Sequence, residues 1–251
     1  MPVTSQDLQR GLSVNWRERL REWPLPLPRF SLELERTALL VVDMQVGSAD
    51  PNVGASRYAN HPGVAEYRTE RMAVIIPNIE RLVRAFRGAQ RPVIYLTVGH
   101  ALPDRGDALP LLRQIDDDLK ARGAHGPLVR FGSRENAIMA TIAPQPGELI
   151  INKTSMSAFS STAIDQTLRN LGIGTLVVVG VSTECCVAAT AHDAADRGYH
   201  VLLVEDGCRA VTPYLQESSL VIFAAMFGRV ASTDDVLGEM NAGLGARNAA
   251  R

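Results

Sequence analysis

From Thr37 onward the chain repeatedly exchanges short apolar runs for longer amphipathic stretches, and this constrains its fold more than any other feature. Runs such as 37–42 and 175–179 are continuous and rich in β-branched residues rather than alternating. A strand wetted on one face alternates apolar and polar residues, whereas a strand covered on both faces does not. Doubly covered strands belong to parallel sheets, whose neighbours need crossover connections, usually helices. The pattern predicts strands over 37–43, 92–98, 147–152, 174–180, 199–205 and 228–232. It predicts helices over 67–88, 108–122, 160–171, 186–197, 213–226 and 233–240. In the first of these, Met72, Ile75, Ile76, Ile79, Leu82, Val83 and Phe86 recur at three- and four-residue spacing, which is one helical face. The expected fold class is α/β, a three-layer α/β/α sandwich around a mainly parallel six-stranded sheet.

A chain of 251 residues, 46% hydrophobic, builds such a core without disulfides. Three cysteines, Cys185, Cys186 and Cys208, form no disulfide framework and point to a reducing, cytoplasmic setting. A formal net charge of −1 implies neither a nucleic-acid surface nor a polybasic membrane patch. No apolar run reaches the ~20 residues that span a bilayer. Residues 1–36 read as an N-terminal extension with Trp16, Trp23 and alternate prolines from Pro24 to Pro28. Such an arm packs on its own subunit or on a neighbour, and a homo-oligomer is expected. The main domain is expected over 37–240, with a C-terminal tail over 241–251.

In an open α/β sheet, ligands bind outside the carboxyl ends of the strands. Asp43 and Lys153 stand at two of these ends, and Cys185 and Cys186 follow a third, where a helix begins. A helix start favours thiolate, so one of the two cysteines is a candidate nucleophile. They point about a quarter-turn apart on a helix and are not expected to share a role. Asp43 is the candidate proton acceptor, and Lys153 the charge that holds acid and thiol together. Cys208 reads as structural. Regions 45–66 and 99–107 carry too much Gly, Pro and charge for regular structure and read as loops over the sheet edge. They offer Gln45, Arg57, Tyr58 and Arg105 as substrate contacts; Phe159 and Gln216 are further candidates. The five histidines are scattered and make no metal motif. His192 falls on the far side of its helix from Cys186, which excludes a Cys–His dyad. No cofactor is expected.

These residues resemble the isochorismatase-like cysteine hydrolases, which include N-carbamoylsarcosine, biuret, ureidoacrylate and maleamate hydrolases, nicotinamidase and isochorismatase. The resemblance covers about 37–240 and rests on three motifs in order. They are Leu40 to Gln45 around Asp43, Lys153 with Ser157, Phe159 and Ser161, and Gly180 to Val187 followed by Thr190 to Ala194. It implies an isochorismatase-like, Rossmann-like hydrolase fold. It implies Cys186 as the nucleophile with Asp43 and Lys153, a cis peptide between Val181 and Ser182, and an oxyanion hole from the N–H groups of Ser182 and Cys186. The expected activity is a metal-independent amidohydrolase acting on a small amide, carbamoyl or ureido substrate through a thioester. The alternatives are an isochorismatase-type vinyl-ether hydrolase and a non-catalytic binding or scaffold protein on the same fold. The chain departs from the resemblance in two places. The segment after the second strand lacks the paired histidines of nicotinamidases, and Val46, Gly47 and Ser48 follow Gln45 where an aromatic is common.

Overall fold

A computed structural model describes residues 15–50, 53 and 61–249. After α1 (Trp16–Arg19) come β1 (Thr37–Val42), a short α2 (Val46–Ala49), α3 (Pro62–Gly88), β2 (Val93–Val98) and α4 (Pro110–Ala121). Next are β3 (Leu149–Lys153), α5 (Ala158–Ser161), α6 (Ile164–Asn170) and β4 (Thr175–Val181). A wide π-type turn (Thr183–Val187) leads into α7 (Ala188–Asp196), then β5 (His200–Arg209), α8 (Pro213–Met226), β6 (Arg229–Ala231) and α9 (Thr233–Ala249). Among the described residues, six strands form one sheet in the order β3-β2-β1-β4-β5-β6, with every pair parallel.

The continuous apolar runs have a direct cause. Leu39 and Val41 of β1 pack beneath Met72, Ile75, Ile79 and Leu82 of α3, while Ala38, Leu40 and Val42 pack on the other face with Val187 and Ala191. Both faces of the strand are core, and its one polar residue, Thr37 at the start, donates its hydroxyl to Glu33 O. Each of the larger side chains contributes about 1.5–3 kcal/mol through burial.

Several boundaries differ from expectation. Pro62 starts α3 five residues early because proline fits the first helical turn, where its missing N–H costs nothing. The helix expected over 160–171 is two pieces, since Thr162 adopts an extended backbone. β5 runs four residues past the expected end at 205, with a register shift against β4 between Val178 and Gly180. The expected tail over 241–251 is helical as far as Ala249. No described helix is long and apolar enough to cross a membrane. The described part of the arm packs on its own subunit. Trp16 is buried against Leu220 and Ala224, and its Nε1–H donates to Glu205, which Arg17 also pairs at 2.7 Å.

Candidate active site

Strand order reverses between β1 and β4, and that is where a doubly wound sheet opens its crevice. In the register Val42 stands beside Gly180, so the residues after each strand emerge together. Gly180 has φ +125°, and a Cβ there would meet Val42 O at 2.0 Å. Only glycine allows the two backbones to come this close. Asp43 follows with φ +50°, its N–H donating to Leu96 O at 2.9 Å. Lys153 is paired with Val98 at the end of β3 and reaches across β2. Its Nζ donates to Asp43 Oδ2 at 2.9 Å and to Ser155 O at 3.2 Å. Both side chains are buried, at 0% and 3% exposure. Asp43 Oδ1 is buried with no hydrogen-bond partner. An orphaned carboxylate oxygen in a buried ion pair is a place where a proton can be accepted.

The Val181–Ser182 peptide is cis, and the π-type turn closes with the Val187 N–H donating to Ser182 O at 3.2 Å. Thr183 Oγ1 donates to Gln216 Oε1 at 2.7 Å and ties this turn to α8. The turn brings the two cysteines together, contrary to the expected quarter-turn separation. Their sulfurs are 3.9 Å apart, and both line a cavity of about 110 Å³. Asp43, Ser48, Met156, Ser182 and Arg209 are also in its wall. That volume is well below the ~300 Å³ of a drug-sized site.

Electrostatics move the two coupled thiols in opposite directions. The hydrogen bond with Cys185, burial and the Asp43 carboxylate push the Cys186 pKa well up, against the opposing charge of Lys153. Cys185 moves down, chiefly through its hydrogen bond with Cys186, and the two thiols titrate as a pair. Burial works against the charge on Lys153, but Asp43 and Cys186 outweigh it and raise the lysine pKa. Cys208 is fully buried in β5, with burial pushing its pKa up to about 12. His192 stacks on Phe223 and packs at a tilt against Phe227, outside the cavity wall.

The expected substrate contacts fare differently. Gln45 does not line the cavity: its amide bonds Val98 N, Val98 O and Asn136 O. Gln216 is consumed by Thr183, Ala210 N, Glu205 O and Cys208 O. Phe159 is a core residue under the Arg197 guanidinium. Arg105 pairs with Asp116 and Asp117 at 2.9 and 2.8 Å, outside the cavity. Arg57 and Tyr58 lie outside the described residues. Sequence reasoning missed Arg209, the last residue of β5, which is 2% exposed and in the cavity wall. Like Asp43 and Lys153 it is a charge at a strand end, but Glu205, Asp206 and Gly207 interrupt the apolar run before it. Ending β5 at 205 concealed it.

The fold is a doubly wound α/β domain that gathers an acid, two thiols and, behind the acid, a buried ammonium at its topological switch point. More particularly, the chain belongs to the isochorismatase family, whose domain model matches residues 37–235. It is 29% identical over 228 residues to the ureidoacrylate amidohydrolase RutB of Stutzerimonas stutzeri, covering 84% of this chain and 87% of that one. A cysteine hydrolase from Pseudomonas syringae pv. phaseolicola superposes with TM-score 0.70 at 26% identity, covering 88% of this chain and 99% of that one. N-carbamoylsarcosine amidase from Thermoplasma acidophilum superposes with TM-score 0.57 at 25% identity, covering 79% and 97%.

Proposed function

We propose that the protein is a metal-independent cysteine amidohydrolase for a small ureido or carbamoyl compound that carries a carboxylate. The observation that carries this reading is Asp43, paired with the buried Lys153 but with Oδ1 unpartnered, in the wall of the cavity that holds Cys186. Asp43 takes the Cys186 proton, and Lys153 keeps the resulting charges balanced. The thiolate attacks the substrate carbonyl. The N–H groups of Ser182 and Cys186 hold the oxyanion, a contribution of about 3–4 kcal/mol to the barrier. Asp43 returns the proton to the departing nitrogen. A water deprotonated by Asp43 then cleaves the thioester and frees Cys186. Arg209 supplies the cation for a substrate carboxylate, a group that the acrylate in the name of the Stutzerimonas relative also carries. The small cavity favours a few-atom substrate over a ring system.

Ammonia release from ureido, carbamoyl and primary-amide acids, with isochorismate as an added substrate, tests the reading. Wild type is expected to release ammonia from a ureido or carbamoyl acid. Cys186→Ala is expected to lose about 10⁴-fold or more, since the covalent route then has no nucleophile. Isochorismate turnover that survives Cys186→Ala would replace the amidohydrolase with the vinyl-ether reading. No turnover of any compound would leave a binding protein on an enzyme fold.

A further inference from the structure

Three sulfur atoms meet in the wall of the catalytic cavity. Cys185 Sγ lies 3.0 Å from Met156 Sδ, and Cys186 Sγ lies 3.9 Å from Cys185 Sγ and 4.0 Å from Met156 Sδ. All three residues line the same cavity, so the triangle is open to a solute. The proposed hydrolysis uses one of these sulfurs. The second thiol and the thioether have no part in it.

We propose that Cys185, Cys186 and Met156 form a chelating site for a soft closed-shell monovalent cation, copper(I), and that its occupancy stops turnover. Thiolate and thioether together are the ligand set that selects copper(I). A closed-shell ion bonds thiolate sulfur at about 2.3 Å, so two ligands of one trigonal ion stand about 4 Å apart. Two edges of the triangle already have that length. The third opens by rotation of Met156, whose unbranched chain adapts readily. Zinc suits the place less well, because it takes four nitrogen, sulfur or carboxylate ligands. Among the described residues, no group of three or more His, Cys, Asp or Glu stands ready to supply them.

Both thiols release a proton to solvent and copper(I) enters, leaving a bis-thiolate complex of charge −1 with the thioether neutral. No electron moves. The complex sits beside the Lys153 ammonium, which already interacts with Cys186. A Cys185–Cys186 disulfide is the competing fate of the pair. It needs the sulfurs to approach by about 2 Å more, between adjacent residues of a helical turn, whereas an ion bridges them where they stand. Loss of turnover rests on the reading of Cys186 as nucleophile; the binding itself does not.

The test is an anaerobic titration of the full chain with copper(I) against a chromophoric copper(I) chelator. It compares wild type with Cys185→Ser and Met156→Leu, with Cys185→Ala as the substitute should the serine variant fold poorly. Wild type is expected to hold one ion per chain and to lose both turnover and alkylation of Cys186 as the ion binds. Cys185→Ser is expected to weaken binding roughly tenfold or more, and Met156→Leu by less, because the thioether is the weaker ligand. Equal affinity in wild type and both variants would overturn the proposal. Alkylation of Cys186 at its metal-free rate in the loaded protein would also overturn it. So would a mass lower by two hydrogens with no copper retained, since that marks the disulfide. Full binding with turnover intact would instead count against Cys186 as the nucleophile and against the regulatory half of the proposal.

Discussion

Two buried polar clusters lie side by side at the carboxyl edge of the sheet, one around Gln45 and one around Asp43. In the first, Gln45, Asn136, Asn152 and Thr97 bond one another and the backbone of Val98 and Gly99. Both ends of the Gln45 amide are used. In the second, Lys153 takes only one carboxylate oxygen, and Asp43 Oδ1 is buried without a partner. Residue type does not separate the clusters, and neither does position relative to the strands. Hydrogen-bond capacity does. A saturated cluster holds the loop on the sheet, while an unsaturated one keeps capacity for a substrate or a proton.

Removing the cation from the second cluster is the strongest way to break this contrast. Lys153→Met leaves the Asp43 carboxylate buried and unpaired and is expected to cost about 3–5 kcal/mol in urea unfolding. The Asp43→Asn/Lys153→Met double variant should recover much of that loss. Wild-type stability in Lys153→Met would show that the pair is not held charged. Next in size, Arg209→Gln should raise KM for a carboxylate substrate about 100-fold, or about 2.7 kcal/mol, with kcat little changed. An equal rise for an uncharged amide would remove Arg209 from carboxylate recognition. On the saturated side, Gln45→Leu should cost about 1–3 kcal/mol of stability by stranding Val98 and Asn136. Its kcat/KM per folded molecule should stay within about threefold of wild type. A large loss of kcat/KM with stability unchanged would put Gln45 back among the substrate contacts.

The smallest expected effect is alkaline. Cys208 keeps its proton in the folded protein to about pH 12, whereas an unfolded thiol loses it near 8.5. Its contribution is complete below about pH 8.5 and is lost as pH rises toward 12. At pH 9 the loss is about 1 kcal/mol, readable as a lower denaturation midpoint than at pH 7. A midpoint unchanged across that range would mean that Cys208 is not insulated.

The doubly covered strands were legible because burial on two faces leaves a continuous apolar signature in β1, β2 and β4. Asp43 and Lys153 were legible because a charge ending such a run stands out. Arg209 follows Glu205, Asp206 and Gly207, which read as a turn, yet the bulged strand carries on through them. Gln45 and Gln216 were misplaced because sequence gives proximity to a site but not the direction of an amide. The approach of Cys185 and Cys186 depends on a π-type turn, and no residue in Thr183–Val187 advertises one.

Gly180 also bears on how such an enzyme can diversify. The spacing of the strand ends that carry Asp43 and the cysteines is set by main chain, since any side chain at Gly180 would collide with Val42 O. Substitution can repaint the walls at Ser48, Met156 or Arg209 and so change what the enclosure accepts, while the spacing of those strand ends is inherited nearly fixed. A designer seeking a new substrate has those walls to work with. One seeking a new proton path would have to rebuild the sheet.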